Sequence, residues 1–163
     1  MTRSTASFGS ALFFLAAPGV VAGYLPWVIS GWMLGGSITA RCAGVLLVGC
    51  GLVVAIDSFR RFAIEGFGTP APVAPTIMLI VSGWYRYVRN PMYVAVLAMI
   101  FGQALLFGSP ALALYGGAVW LLFHAFVVFY EEPRLKRSFG DSYIDFQRRV
   151  PRWIPLLRVR LDR

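Results

Sequence analysis

The chain has 163 residues, of which 58% are hydrophobic and only 13% charged, and it carries a formal net charge of +8. Charged residues make up about a quarter of an ordinary soluble domain, so this composition excludes a solvated globular enzyme and reads as one membrane domain over residues 1–163. The basicity does not call for nucleic acid, because an integral membrane chain with its Lys and Arg on one face accounts for the same charge.

A spanning helix needs about 20 mostly apolar residues, and the first candidate covers 8–33. It is too long for a cleaved signal peptide and shows no small-residue cleavage site before the next polar break. The second candidate covers 42–59, free of charge as far as Ile56. Cys42 and Cys50 lie in or at the edge of it without CxxC spacing or a neighbouring His, so they read as small packing residues, not as a disulfide or metal site. Asp57 pairs most simply with Arg60 or Arg61. A polar connection then runs from Arg60 to about Thr76. Its Pro70, Pro72 and Pro75 cannot join a helix and favour an extended, semi-rigid path along the interface. Gly66, Phe67, Gly68 is a lone GxG, which is a flexible corner more often than a cofactor turn. Residues 77–81 are apolar but too short to cross. In Trp84, Tyr85, Arg86, Tyr87, Val88 and Arg89, aromatic and basic residues alternate as they do at a membrane interface.

The third span, 91–107, opens on Pro91, a favoured first helical residue, with Asn90 expected as its N-cap. Gly108, Ser109 and Pro110 form a tight turn into the fourth span, 111–132, so the two spans are an antiparallel hairpin. A helix of 22 residues is about 33 Å long, enough to return Glu131 and Glu132 to the depth of Arg89. The second and third spans are short, and tilt or snorkelling of the flanking arginines is expected to make up the difference. His124, the only histidine, lies seven residues before Glu131 and so on nearly the same face. It reads as a polar pocket floor or a helix–helix hydrogen bond. From Pro133 the tail, 133–163, is basic and amphipathic: Leu135, Phe139, Tyr143, Phe146 and Val150 alternate with Arg134, Lys136, Arg137, Arg148 and Arg149. Asp141 is expected to cap a second short helix after Gly140, and the tail to lie on the membrane and fold back over the hairpin mouth.

The expected fold is therefore all-α and integral to the membrane, with about four transmembrane helices and a cytoplasmic amphipathic helical tail. With both termini cytoplasmic, Arg3, Arg60, Arg61, Arg86, Arg89 and every basic residue from Arg134 to Arg163 share one face, and only Arg41 lies on the other. Anionic headgroups attract such a face.

Two adjacent carboxylates at the end of a membrane helix are costly unless hydrated, paired or used. One of Glu131 and Glu132 is expected to pair with Arg86 or Arg89, leaving the other for a cationic ligand; the alternative is that the two simply mark the water interface. The free N–H groups of the helix that starts at Asn90, preceded by Arg89, form a ready anion site.

The segments GWYRYVRNPMY at 83–93, YEEPRLKRSFGDSY at 130–143 and VPRWIP at 150–155 resemble the integral-membrane methyltransferases. These include isoprenylcysteine carboxyl methyltransferases and phospholipid N-methyltransferases. The resemblance covers roughly 68–155. Asn90 stands where the carboxyl methyltransferases typically carry the His of RHPxY, which is closer to the phospholipid enzymes, whereas the tail elements FGxxY and VPRxIP are closer to the carboxyl branch. The resemblance implies S-adenosylmethionine (SAM) as methyl donor, bound at the cytoplasmic hairpin mouth under the tail, and a lipophilic acceptor arriving from the bilayer: an amine, a carboxylate or a hydrophobic thiol. It further implies Glu131, Glu132 and Arg89 as the catalytic set. The cofactor would be held by Arg89, Asn90, Pro91, Tyr93, Tyr87, Glu131 and Glu132, with Tyr143 and Phe146 over the adenine or the acceptor. The rival readings are a small transporter, for which the spans offer few interior polar residues beyond His124 and Gln103, and a non-enzymatic adaptor, which leaves the RNPMY and EEP clusters unexplained.

Overall fold

A computed structural model describes residues 18–64 and 79–156, and every regular element among them is helical. A π-helical turn, Val20–Tyr24, leads into α1, Leu25–Ser30. The long helix α2 covers Ile38–Ile64, and a 3-10 turn covers Gly83–Arg86. The hairpin is built from α3, Pro91–Phe107, and α4, Pro110–Phe126. A second π-helical turn, Val127–Glu131, joins α4 to α5, Glu132–Phe139, and α6, Asp141–Arg149, ends the regular structure.

Two stretches, Ile38–Arg61 and Pro110–Phe139, are long and apolar enough to cross a membrane, and less than a third of either is buried against the rest of the chain. Leu46, Val53, Leu114, Leu121, Leu122 and Phe129 all stand exposed on them. Helices that are apolar on their outward faces belong in lipid, so this is a membrane protein. Val20–Ser30 and Pro91–Phe107 are apolar but shorter. The expected first span reaches back to residue 8, and 8–17 lie outside the described residues, as do 65–76 of the expected polar connection and 77–78 of the apolar segment after it.

Glycine sets how closely the helices approach. α2 and α3 run antiparallel, and a Cβ on Gly44 would stand 2.5 Å from the Gly102 carbonyl oxygen, while one on Gly102 would stand 2.8 Å from Val48 Cγ2. Further along α2, a Cβ on Gly51 would stand 2.8 Å from the Ala95 carbonyl oxygen. The two backbones touch, as small residues permit in membranes. The α2 helix runs on to Ile64, so Arg60 and Arg61 belong to it and not to the polar connection that the sequence suggests. Their side chains extend the helix past the second span while keeping charge at its end. Gly108, at φ +62, closes α3 in the left-handed conformation that allows its N–H to reach the Ala104 and Leu105 carbonyls, and Ser109 caps α4 by accepting from the Leu112 N–H.

Both π-helical turns precede a proline by the same offset: Pro26 after Val20–Tyr24, and Pro133 after Val127–Glu131. Pro26 lacks the N–H that would serve Ala22 in an α-helix or Val21 in a π-helix. Gln103 Nε2 donates to the Ala22 carbonyl at 2.7 Å and the Tyr115 hydroxyl to the Val21 carbonyl at 2.8 Å. The polar interior residues of α3 and α4 thus satisfy backbone that proline leaves unpaired.

Among the described residues there are two apolar cores. Ala55, Ala95, Val96, Met99, Ile100 and Val119 fill the membrane body. Ile80, Tyr85, Tyr143, Phe146 and Val150 form a second cluster under α5 and α6. Gly140, at φ +53, turns between those helices and itself occupies the N-cap position of α6, so Asp141 is the first helical residue and gives no side-chain cap.

Candidate functional site at the hairpin mouth

The site lies between these cores, where the start of α3, the junction of the second π-helical turn with α5 and the segment 150–156 meet. The antiparallel hairpin brings Arg89 to Glu132, whose Oε1 accepts from Arg89 Nη1 at 2.8 Å. The pair is formed by Arg89 and not Arg86, deciding between the two arginines the sequence offers. Both side chains are about nine-tenths buried, at 10% and 9% exposure. A second cation arrives from the tail. Arg152 donates through Nε to Glu132 Oε1 at 2.7 Å and through Nη2 to Oε2 at 2.9 Å, the fork-to-carboxylate geometry that makes such bonds strong. That bond, with the Coulomb attraction of the carboxylate, raises the Arg152 pKa further above its already high value.

Glu131 has a different environment. Its Oε2 accepts from the Tyr93 hydroxyl at 3.0 Å, and among the described residues no Lys or Arg forms an ion pair with it. The Tyr93 ring packs against Phe123 with centroids 4.7 Å apart and lies 6.5 Å from Trp153. Among the described residues one buried side-chain donor is also left over: Arg89 Nε has no hydrogen-bond partner, while the Tyr143 hydroxyl lies near the same guanidinium. The mouth therefore holds a carboxylate without a cation and a guanidinium N–H without an acceptor. Both are costly in a dry setting.

The segment 150–156 is tied across the mouth by its backbone and side chains. Arg89 N–H donates to the Pro151 carbonyl at 2.8 Å and Leu156 N–H to the Tyr87 carbonyl at 2.9 Å. Asn90 occupies the N-cap position of α3, yet its side chain makes no cap bond. Its Nδ2 donates instead to the Arg152 carbonyl at 3.2 Å. The expected cap is therefore a strap anchor, because the nearby strap carbonyl competes successfully for the amide. Trp153 Nε1 donates to His124 Nδ1 at 3.1 Å, which places the imidazole proton on Nε2. His124 thus bonds the segment 150–156 in place of the expected helix–helix hydrogen bond.

Of the residues singled out in the sequence, Arg89, Asn90, Pro91, Tyr93, Glu131 and Glu132 gather at this mouth. Tyr87 contributes its carbonyl to the strap, and its ring lies tilted against Trp84 with centroids 6.0 Å apart. Tyr143 and Phe146, at 3% and 5% exposure, pack in the second apolar core, and the Tyr143 hydroxyl lies beside Arg89 at the edge of the mouth. They sit on the inner face of an amphipathic helix, which needs them as its buried stripe. Burial is the main cause that raises the Tyr143 pKa, with Glu132 adding to it and Arg89 opposing. The sequence alone assigns no role to Arg152 or Trp153. A signal is present nonetheless: a buried pair of carboxylates beside one arginine needs another cation, and the tail offers one between Pro151 and Pro155.

Close by, the end of α2 carries its own polar cluster. Arg61 bonds Asp57 at 2.9 Å and Ser82 at 2.8 Å, and a Cβ on Gly83, at φ +54, would overlap the Arg61 guanidinium. Asp57, Arg60, Arg61 and Ile64 line a cavity of about 120 Å3 there.

The family profile for phospholipid methyltransferases matches residues 39–142, which is most of α2 through the first residues of α6 and includes Arg89, Tyr93, Glu131 and Glu132. The chain belongs to this phospholipid methyltransferase family. It is 35% identical over 80 residues to the protein-S-isoprenylcysteine O-methyltransferase of Schizosaccharomyces pombe, covering 49% of this chain and 34% of that protein. It is 30% identical over 146 residues to the phosphatidylethanolamine N-methyltransferase of Phaeosphaeria nodorum, covering 86% of this chain and 14% of that protein. The protein-S-isoprenylcysteine O-methyltransferase B of Arabidopsis thaliana is 32% identical over 79 residues, or 48% of this chain and 40% of that one. The chain thus spans well under half the length of these relatives. No solved structure matches it. Within the family match the hairpin and its acidic pair are included, whereas Arg152 and Trp153 fall beyond its end.

Proposed function

We propose that the protein is a SAM-dependent methyltransferase acting on a lipophilic acceptor at the membrane surface. The observation that carries this reading is the pair of groups at the mouth left unmatched among the described residues: the buried Arg89 Nε–H without an acceptor and Glu131 without a cation. SAM bears a carboxylate at one end of its amino-acid arm and an ammonium and a sulfonium within reach of it, so a site for it must offer both a cationic donor and an anionic or aromatic environment. Arg89 would take the carboxylate through Nε, with the N–H groups at the start of α3 adding to the field. Glu131 would face the ammonium, and the rings of Tyr93, Phe123 and Trp153 offer π faces to a sulfonium.

When bound, SAM supplies an electrophilic methyl whose sulfonium leaves as a neutral thioether. What the chain adds is position and dryness. Glu132, fixed by two arginines, holds Arg89 in place. The strap 150–156 excludes water from above, and proximity of this kind supplies on the order of 7–11 kcal/mol of barrier reduction. Glu131 is also placed to take a proton if the acceptor is an amine. The relatives divide between a prenylcysteine and a phospholipid amine by name, and an acceptor of either chemistry reaches this mouth from the bilayer.

The same reading extends to topology: four spans with both termini and the site on the cytoplasmic side. Supporting it, Arg60, Arg61, Arg86, Arg89, Arg134 and Arg152 cluster at the mouth end, while Arg41, bonded to the Gly35 carbonyl at 3.0 Å, sits at the other. The test is incubation of the purified chain with methyl-labelled SAM and a total lipid extract, followed by mass identification of the labelled product. A labelled lipid that disappears with the double change Glu131→Gln and Glu132→Gln is the expected result. No SAM binding by calorimetry in the unaltered chain would overturn the reading in favour of a non-enzymatic adaptor.

A further inference from the structure

Resting on the methyl-transfer reading, we propose that the outer face of α5 and α6 docks on anionic lipid headgroups and that this docking holds the strap closed over the site, so that donor affinity depends on the charge of the membrane surface. The two helices are sharply two-sided. Leu135, Phe139, Tyr143, Phe146 and Val150 point into the second core, while Lys136, Arg137, Arg148 and Arg149 stand exposed. The acidic residues on the same face, Asp141 and Asp145, do not neutralise them. The one ion pair there among the described residues, Arg148 to Asp145, is 3.7 Å long between side chains 76% and 61% exposed, a geometry that contributes little. Two exposed apolar residues flank the cations: Ile144 at 37% and Ile154 at 79%. Cations bordered by apolar side chains at the end of membrane helices fit a headgroup layer, with the alkyl groups entering it and the charges meeting phosphates.

The link to the site is covalent and short. α5 begins at Glu132 itself, and only Val150 and Pro151 separate the end of α6 from Arg152 and Trp153. Lifting the strap breaks the Arg152 bonds to Glu132 and the Trp153 bond to His124, and tilts α6 away from the plane in which its cations lie. The more headgroup phosphates an open state gives up, the more strongly anionic lipid disfavours it. Lipid charge and donor binding then favour the same closed strap.

The experiment uses the full chain in nanodiscs of phosphatidylcholine alone or mixed with phosphatidylglycerol. Two readouts run in parallel: amide hydrogen exchange over 150–156, and SAM affinity by calorimetry. Both strap protection and affinity are expected to rise about tenfold in the anionic discs, less than four fully placed cations would give. The variant K136Q/R137Q/R148Q/R149Q should lose the rise and keep the values seen in phosphatidylcholine. Should it fail to fold, K136Q/R137Q retains the α6 charges and should show a smaller rise. No rise in the unaltered chain, or an undiminished one in either variant, overturns the proposal. If SAM binds in neither disc, the methyl-transfer reading falls. The exchange data still decide the docking: charge-dependent strap protection that the variant loses supports it, and protection indifferent to lipid overturns it.

Discussion

The α2–α3 crossing and the mouth of the α3–α4 hairpin are both closely packed, and they are made by opposite means. At the crossing, Gly44, Gly51 and Gly102 remove side chains so that backbones touch. At the mouth, Arg89, Glu131, Glu132 and Arg152 bring large charged groups into a buried space and match most of them, leaving Arg89 Nε and Glu131 over. Shape holds the crossing, which has no polar demand beyond its backbone. Directional bonds hold the mouth, and its incomplete matching gives it something to offer a ligand. Stability should therefore respond to volume at one and to charge at the other.

The largest expected effect comes from adding volume at the crossing. Gly102→Leu places a Cβ against Val48 and the Gly44 carbonyl, and since backbone cannot yield as a flexible side chain does, the loss should exceed about 3 kcal/mol. Yield and thermal midpoint in detergent measure it, and a variant that melts like the parent would show that the helices can separate. Glu132→Ala is expected to come next, at about 3 kcal/mol, because it leaves the buried Arg89 guanidinium facing the partly exposed one of Arg152. It should abolish donor binding as well.

Glu131→Gln sharpens the contrast most, since it should separate stability from function. The change removes a carboxylate that has only a phenol as partner, so the thermal midpoint should stay level or rise by the equivalent of about 1 kcal/mol. Donor affinity should fall by tenfold or more, about 1.4 kcal/mol. A midpoint that drops along with affinity would mean that Glu131 is structural after all.

The crossing and the mouth also differ in how much of them the sequence discloses. Pro91, the turn at Ser109 and the length of 111–132 are enough to bring Arg89 back to the acidic pair, because helix rise is fixed and a two- or three-residue turn permits only an antiparallel return. The amphipathic stripe from Leu135 to Val150 likewise specifies the inner face of α5 and α6. The strap is not legible in the same way. Its anchors, Asn90 to the Arg152 carbonyl and Trp153 to His124, join residues 62 and 29 apart through a segment without helical period, so no local pattern announces them. The π-helical turn at Val127–Glu131 is hidden for another reason: the proline that goes with it, Pro133, reads equally well as a plain helix start.

The smallest effect should come from the strap's indole. Trp153→Phe keeps a ring near Tyr93 and loses only the donor to His124, a neutral bond whose net worth is about 1 kcal/mol. Because Arg152 still holds Glu132 through two bonds, the thermal midpoint should hardly move, while amide exchange over 150–156 should quicken severalfold. His124→Phe removes the acceptor and not the donor, leaving an indole N–H with no partner in an apolar setting, and so should quicken exchange more than Trp153→Phe does. Equal effects from the two would mean that water takes the place of the lost partner, and that the strap is less dry than the clustering of Tyr93, Phe123 and Trp153 implies.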